Sequence, residues 1–142
     1  MAFKTITVKG NAHVIRKEGI VVTADITPGM LVARTSTGIV RHATAANNAA
    51  RAFAVENEVV GDGIDDDYIV ADTILFGVFP PGAEIYAFAA GTILLGEFVE
   101  SNGAGAVRVV AARAATDQDE SASIVGVALA DNVSTRCHIE IL

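Results

Sequence analysis

Short segments rich in Val, Ile, Thr and Phe recur from one end of the chain to the other, each cut within a few residues by Gly, Pro, Asn or Asp. Segments this short do not sustain the apolar periodicity of an amphipathic helix, and their β-branched content favours a pleated backbone. The pattern therefore predicts an all-β domain, a small barrel or sandwich with long loops. Strands are expected at 4–9, 19–24, 30–34, 39–42, 53–58, 68–70, 74–79, 84–88, 97–100, 106–111, 124–129 and 136–142.

The turns between them have recognisable chemistry. Pro28-Gly29 and Pro81-Gly82 suit a type II turn, with proline presetting the first central φ and glycine accepting a positive second one. Asn102-Gly103 and Thr37-Gly38 read as hairpin tips. The Ala-rich stretches 43–52 and 111–115 favour helix by propensity but carry no apolar stripe, so they are expected to be loops with helical turns at most.

A chain of 142 residues suits one domain. It divides into an N-terminal arm or first strand region at 1–18 and a β-barrel domain at 19–142. With 51% hydrophobic and 19% charged residues it has apolar surface enough to fold. Aromatics are only 6% and Trp is absent, so a core of small side chains is expected rather than an aromatic-lined ligand pocket. A mean hydropathy of +0.45 is high for a lone soluble domain and points to self-association.

A net charge of −7, with ten scattered basic residues, argues against nucleic-acid binding, which needs clustered Lys and Arg. Its longest uncharged segment, 85–96 between Glu84 and Glu97, falls short of the roughly 20 residues that cross a bilayer. The first nine residues lack the apolar run of a secretory signal and read as a strand. Cys137, the one cysteine, leaves no intramolecular disulfide to form.

Residues 29–41 align without gaps on residues 96–108, matching Gly29 with Gly96, Val32 with Val99, Gly38 with Gly105, Val40 with Val107 and Arg41 with Arg108. Each copy passes through an Ala-rich connection into a further strand. A pseudo-repeated hairpin accounts for this: glycines permit the turns and alternate valines define an inner face.

On these residues, ITPGMLVARTSTGIVRHAT with FAVEN and its echo GEFVESNGAGAVRVVAA with IVGVALADNVSTRCHIEIL, the chain resembles the capsid decoration (cement, or head-stabilising) proteins of tailed bacteriophages. A turn-glycine strand, a hairpin and a closing hydrophobic-Gly-Val-Ala strand recur in that group. The resemblance implies a β-tulip fold and a homotrimer seated on the major capsid protein at three-fold and quasi-three-fold positions. Such a protein is made in the host cytoplasm and stabilises the expanded shell from the outer surface of the virion. An N-terminal arm commonly reaches onto the shell, and extra sequence around 58–81 leaves the docking surface open.

Residues 2–9 suit such an arm, alternating Phe3, Thr5 and Thr7 with Lys4, Ile6 and Val8, although they suit a first barrel strand equally. The candidate capsid contacts are Phe3, Ile6 and Val8, with Arg16 and Lys17 as basic partners for an acidic surface. The other reading is an adhesive or carbohydrate-binding β module on a particle or cell surface, disfavoured by the scarcity of aromatics for sugar stacking.

No constellation suggests an enzyme. The run Asp62-Gly-Ile-Asp65-Asp66-Asp67 lacks the alternate ligand spacing and distal Glu of an EF-hand and is expected to be a solvated loop, with weak calcium binding as the alternative. Cys137 and His138 are neighbours on one strand and point to opposite faces, and Cys137 is expected to be structural. His13 and His42 have no acidic or metal-binding partner in sequence, and are expected at the surface or an interface. Gly61-Asp-Gly63 is a lone pair of glycines and Gly103-Ala-Gly105 sits in a hairpin rather than before a helix, so no phosphate-cradling loop is read. None of Lys4, Lys9 and Lys17 sits in the central hairpin of a biotinyl or lipoyl carrier domain. No catalytic, cofactor-binding or metal-binding residue is assigned, and no cofactor is expected.

Overall fold

In a computed structural model that describes residues 5–10, 13–110, 123–132 and 135–142, eleven short strands among the described residues carry the fold. The strands are β1 (Thr7–Lys9), β2 (Ile15–Ile20), β3 (Val32–Arg34), β4 (Ile39–Arg41), β5 (Ala52–Ala54), β6 (Thr73–Val78), β7 (Glu84–Phe88), β8 (Phe98–Ser101), β9 (Val107–Val109), β10 (Gly126–Ala128) and β11 (Arg136–Ile141). A 3-10 turn at Glu58–Val60 interrupts them. Among the described residues no helix is long and apolar enough to cross a membrane.

The strands form antiparallel sheets in three layers. The largest has the order β1-β7-β11-β10-β8-β9, the second β2-β6-β5, and the third is the hairpin β3-β4. Side-chain alternation makes the second sheet the middle layer. On β5, Phe53 points into a core shared with the six-stranded sheet, while Ala52 and Ala54 point into a second core under the hairpin. On β6, Leu75 faces the first core and Ile74 and Phe76 the second. Small residues on one side of β5 let the hairpin approach closely, whereas Phe53 meets Phe79 edge to face on the other, with centroids 6.1 Å apart.

Of the two architectures expected, the sheets adopt the sandwich. A single parallel bridge between Ala89 and Val107 brings β9 back toward the end of β7, so the large sheet curls without closing into a barrel by strand pairing.

Both copies of the internal repeat are hairpins, but their registers differ. Val32 pairs with Arg41 in the first, whereas its counterpart Val99 pairs with Val109 rather than Arg108 in the second. One more loop residue separates β8 from β9 than separates β3 from β4. The two hairpins then lock together. Leu31 N–H donates to the Gly105 carbonyl at 2.7 Å, and Gly105 N–H donates to that of His42 at 3.2 Å.

Three strand expectations are corrected. The strand expected at 19–24 lies at Ile15–Ile20, because its pairing partner β6 captures a charged stretch exposed over almost its whole length. The strand at 53–58 ends at Ala54, and that at 68–70 shrinks to one bridge between Ile26 and Tyr68. Residues 43–52 hold turns rather than helix before β5, and 111–115 lie outside the described residues.

Candidate docking surface

The N-terminal contact residues have unequal fates. Phe3 lies outside the described residues. Ile6 is fully buried in the first core, which corrects its assignment as a surface contact. Its N–H donates to Glu56 Oε2 at 3.2 Å and its carbonyl accepts from Tyr86 N–H at 2.9 Å. Residues Thr7–Lys9 form an edge strand on β7, and Lys9 Nζ lies 3.3 Å from Glu84. Val8, 39% exposed, remains available at that edge.

Arg16 and Lys17 are both exposed on β2, a strand at the edge of the middle sheet. As adjacent strand residues they leave by opposite faces, so they do not form one basic patch. Arg16 lines a cleft with Thr7, Glu56 and Leu75. Lys17 lines a separate apolar pocket floored by Val32, Ile39 and Phe76.

The acidic run is a tied loop. Asp66 Oδ2 accepts from Gly63 N–H at 2.6 Å, and Asp67 Oδ1 accepts from Thr27 Oγ1–H at 2.7 Å. Arg136, 5% exposed, reaches under it from β11, donating Nη2–H to the Ile64 carbonyl at 2.6 Å and Nη1–H to the Pro28 carbonyl. Its guanidinium lies 5.6 Å from the Phe88 ring centroid. Burial pulls the Arg136 pKa below its ordinary value, a shift opposed by Asp65 at 3.4 Å. Among the described residues no three His, Cys, Asp or Glu side chains converge as a metal site.

Arg136 also explains Gly29. The Pro28-Gly29 turn forms as expected, with Met30 N–H on the Thr27 carbonyl and Gly29 at φ +94°. A Cβ on Gly29 would lie 2.3 Å from the Arg136 guanidinium and 2.9 Å from the Tyr86 carbonyl oxygen, so only glycine fits. This turn bonds to β5 through Ala54 and to β7 through Phe88, joining all three layers.

His42, expected at the surface or an interface, is 7% exposed and is held inside the chain. Its Nδ1 lies 2.7 Å from Ser101 Oγ and its Nε2 3.1 Å from the Asn48 carbonyl. A carbonyl only accepts, so Nε2 carries the proton and Ser101 donates to Nδ1. The pair has the spacing of a base and nucleophile, but Ser101 is fully buried, its Oγ also accepts from Gly103 N–H, and a carbonyl stands where an orienting carboxylate would. It joins the two hairpin copies. The sequence distance between positions 42 and 101 hid it.

Cys137 and His138 separate as expected. Cys137 is 1% exposed, and burial pushes its thiol up to about 11. His138 faces outward against Tyr86, with Nε2 3.0 Å from Glu84 Oε1.

Tyr68, 5% exposed, donates its hydroxyl to the Val55 carbonyl at 2.6 Å. Burial pushes this phenol up to about 12, opposed by the Leu75 backbone and reinforced by Glu56, Asp62 and Asp72. A folded-state pKa above the unfolded value of 10.0 means the stabilisation is complete below pH 10 and is lost as pH rises toward 12. We expect the phenolate absorbance step of Tyr68 to appear near pH 12 together with unfolding, and Tyr68→Phe to remove it. A step at pH 10 in the folded protein that Tyr68→Phe removes would contradict this placement.

Among solved structures, the chain is similar to one described as the crystal structure of head fiber gp8.5 N base in bacteriophage phi29, with a TM-score of 0.61 and 10% sequence identity. The match covers 91% of this chain and 94% of that one, so the likeness is one of whole fold. No protein-family model and no curated protein matches the chain.

Proposed function

We propose that this chain is a structural protein of a phage head, a homotrimer that binds the major capsid protein on the outer surface of the virion and stabilises the expanded shell. The carrying observation is the fold likeness to a phage head-fibre base, which spans nearly the full length of both chains. It agrees with the family suggested by the repeated Gly-Val hairpins. The role is one of interface energetics rather than catalysis. Its polar clusters, at Arg136, His42 and Glu84, join strands and loops of the same domain. Exposed Leu94, Leu95 and Phe98 are apolar side chains that a partner would cover. Three linked copies on three adjacent capsid subunits add avidity to contacts that are individually modest.

Light scattering after size exclusion, followed by co-sedimentation with undecorated capsids, tests this. The expected result is an oligomer three times the 14.7 kDa chain that pellets saturably with capsids, in multiples of three. A monomer that stays in the supernatant would sink the reading.

A further inference from the structure

The 3-10 turn at Glu58–Val60 forms a knob. Val59 is 91% exposed and Val60 66%, and carboxylates at Glu58 and Asp62 flank them. The backbone beneath is held: Gly61 N–H donates to the Glu58 carbonyl and Asp62 N–H to the Asn57 carbonyl, both at 3.1 Å. Gly61 takes φ +84° to close the turn. A prearranged apolar tip loses little conformational freedom on docking.

Across the middle sheet lies a pocket of about 270 Å³, floored by Val32, Ile39, Ala52, Phe76 and Val78. That is at the low end for a small-molecule site, which is roughly 300–1,000 Å³, and suits an aliphatic side chain. Its charged lining residues, Lys17 and Arg34, are both cationic and exposed, and neither has an ion-pair partner among the described residues.

The charges are segregated along the chain in the same sense. Residues 1–51 hold seven of the ten Lys and Arg but two of the seventeen Asp and Glu, whereas residues 52–107 hold ten carboxylates and no Lys, Arg or His. Val59 lines a cleft with Val55 and Leu75, on the face of the middle sheet opposite Ala52 and Phe76. The knob and the pocket therefore face away from each other, and one copy does not fill its own pocket.

We infer that copies of this chain associate head to tail, the Val59 turn of one entering the Lys17–Arg34 pocket of the next. Such a contact is heterologous and closes into a ring when the rotation between copies permits. The inference rests on the oligomeric reading above and supplies its contact. Complementary charge at the rim sets register, and burial of the valines supplies the adhesion.

The test uses two surface variants, Val59→Asn, which removes the apolar tip without adding a carboxylate for the cationic rim, and the double variant Lys17→Glu with Arg34→Glu, each checked for unchanged circular dichroism. Each alone is expected to run as a 14.7 kDa monomer under conditions where the parent is oligomeric. Mixed, they retain one intact knob and one intact pocket and are expected to form a dimer and nothing larger. Val59→Ser and Lys17→Gln repeat the pair with smaller perturbation should either change alter folding. Variants that keep the parent's mass, or monomers that ignore each other when mixed, overturn this contact while leaving the oligomer standing. A monomeric parent overturns both.

Discussion

Replacing Arg136 with methionine is expected to lower folding stability by about 3 kcal/mol, because it strands the carbonyls of two buried residues, Pro28 and Ile64. The side chain donates to Pro28 and Ile64 from within the protein and is 5% exposed, so its loss frees the turn, the acidic loop and β11 from one another together. Its ion pair with Asp65 contributes little by comparison, since that carboxylate is 91% exposed and screened by solvent. Asp65→Asn should therefore cost well under about 1 kcal/mol. Lysine is expected to rescue Arg136 poorly, because an ammonium lacks the planar fork that serves two acceptors at once. Urea unfolding read by circular dichroism measures all three. A loss below about 1 kcal/mol for methionine would remove Arg136 from its place as the joint between layers.

Ile6→Ala should cost a comparable amount, about 3 kcal/mol, through lost burial and the cavity left in the first core. Val8→Ala, at a 39% exposed edge position two residues on, should cost about 0.5 kcal/mol or less. The contrast bears on attachment. Were residues 5–9 only an arm, trimming them would weaken capsid binding and spare folding. With Ile6 fully buried, trimming them is expected to unfold the domain, and binding defects of such deletions report on stability first. Equal, small losses for Ile6→Ala and Val8→Ala in thermal unfolding would restore the arm.

Elements with strong local chemistry were legible in advance. The Pro28-Gly29 and Pro81-Gly82 turns, the β7 limits at Glu84–Phe88 and the opposite facing of Cys137 and His138 all follow from short-range rules of φ and alternation. β2 was displaced in the sequence reading because Ile-Arg-Lys-Glu-Gly-Ile, exposed on both faces, carries no apolar alternation, and only the ladder with β6 defines it. The candidate contact set suffered for a related reason. Alternation assigns Ile6 and Val8 to one face, but a bulge between Thr7 and Lys9 and the closing of β1 onto β7 bury one and leave the other at the surface.

Composition, turn chemistry and alternation were enough to specify an all-β chain of short strands with a repeated hairpin, since each depends on a residue and its nearest neighbours. Tertiary structure alone decided that the sheets stack in three layers, that the repeat copies differ by one residue in register, and that Arg136 and His42 lie inside. Those outcomes depend on contacts between residues such as 28 and 136, or 42 and 101, whose proximity is set by how the layers close rather than by any pattern along the chain.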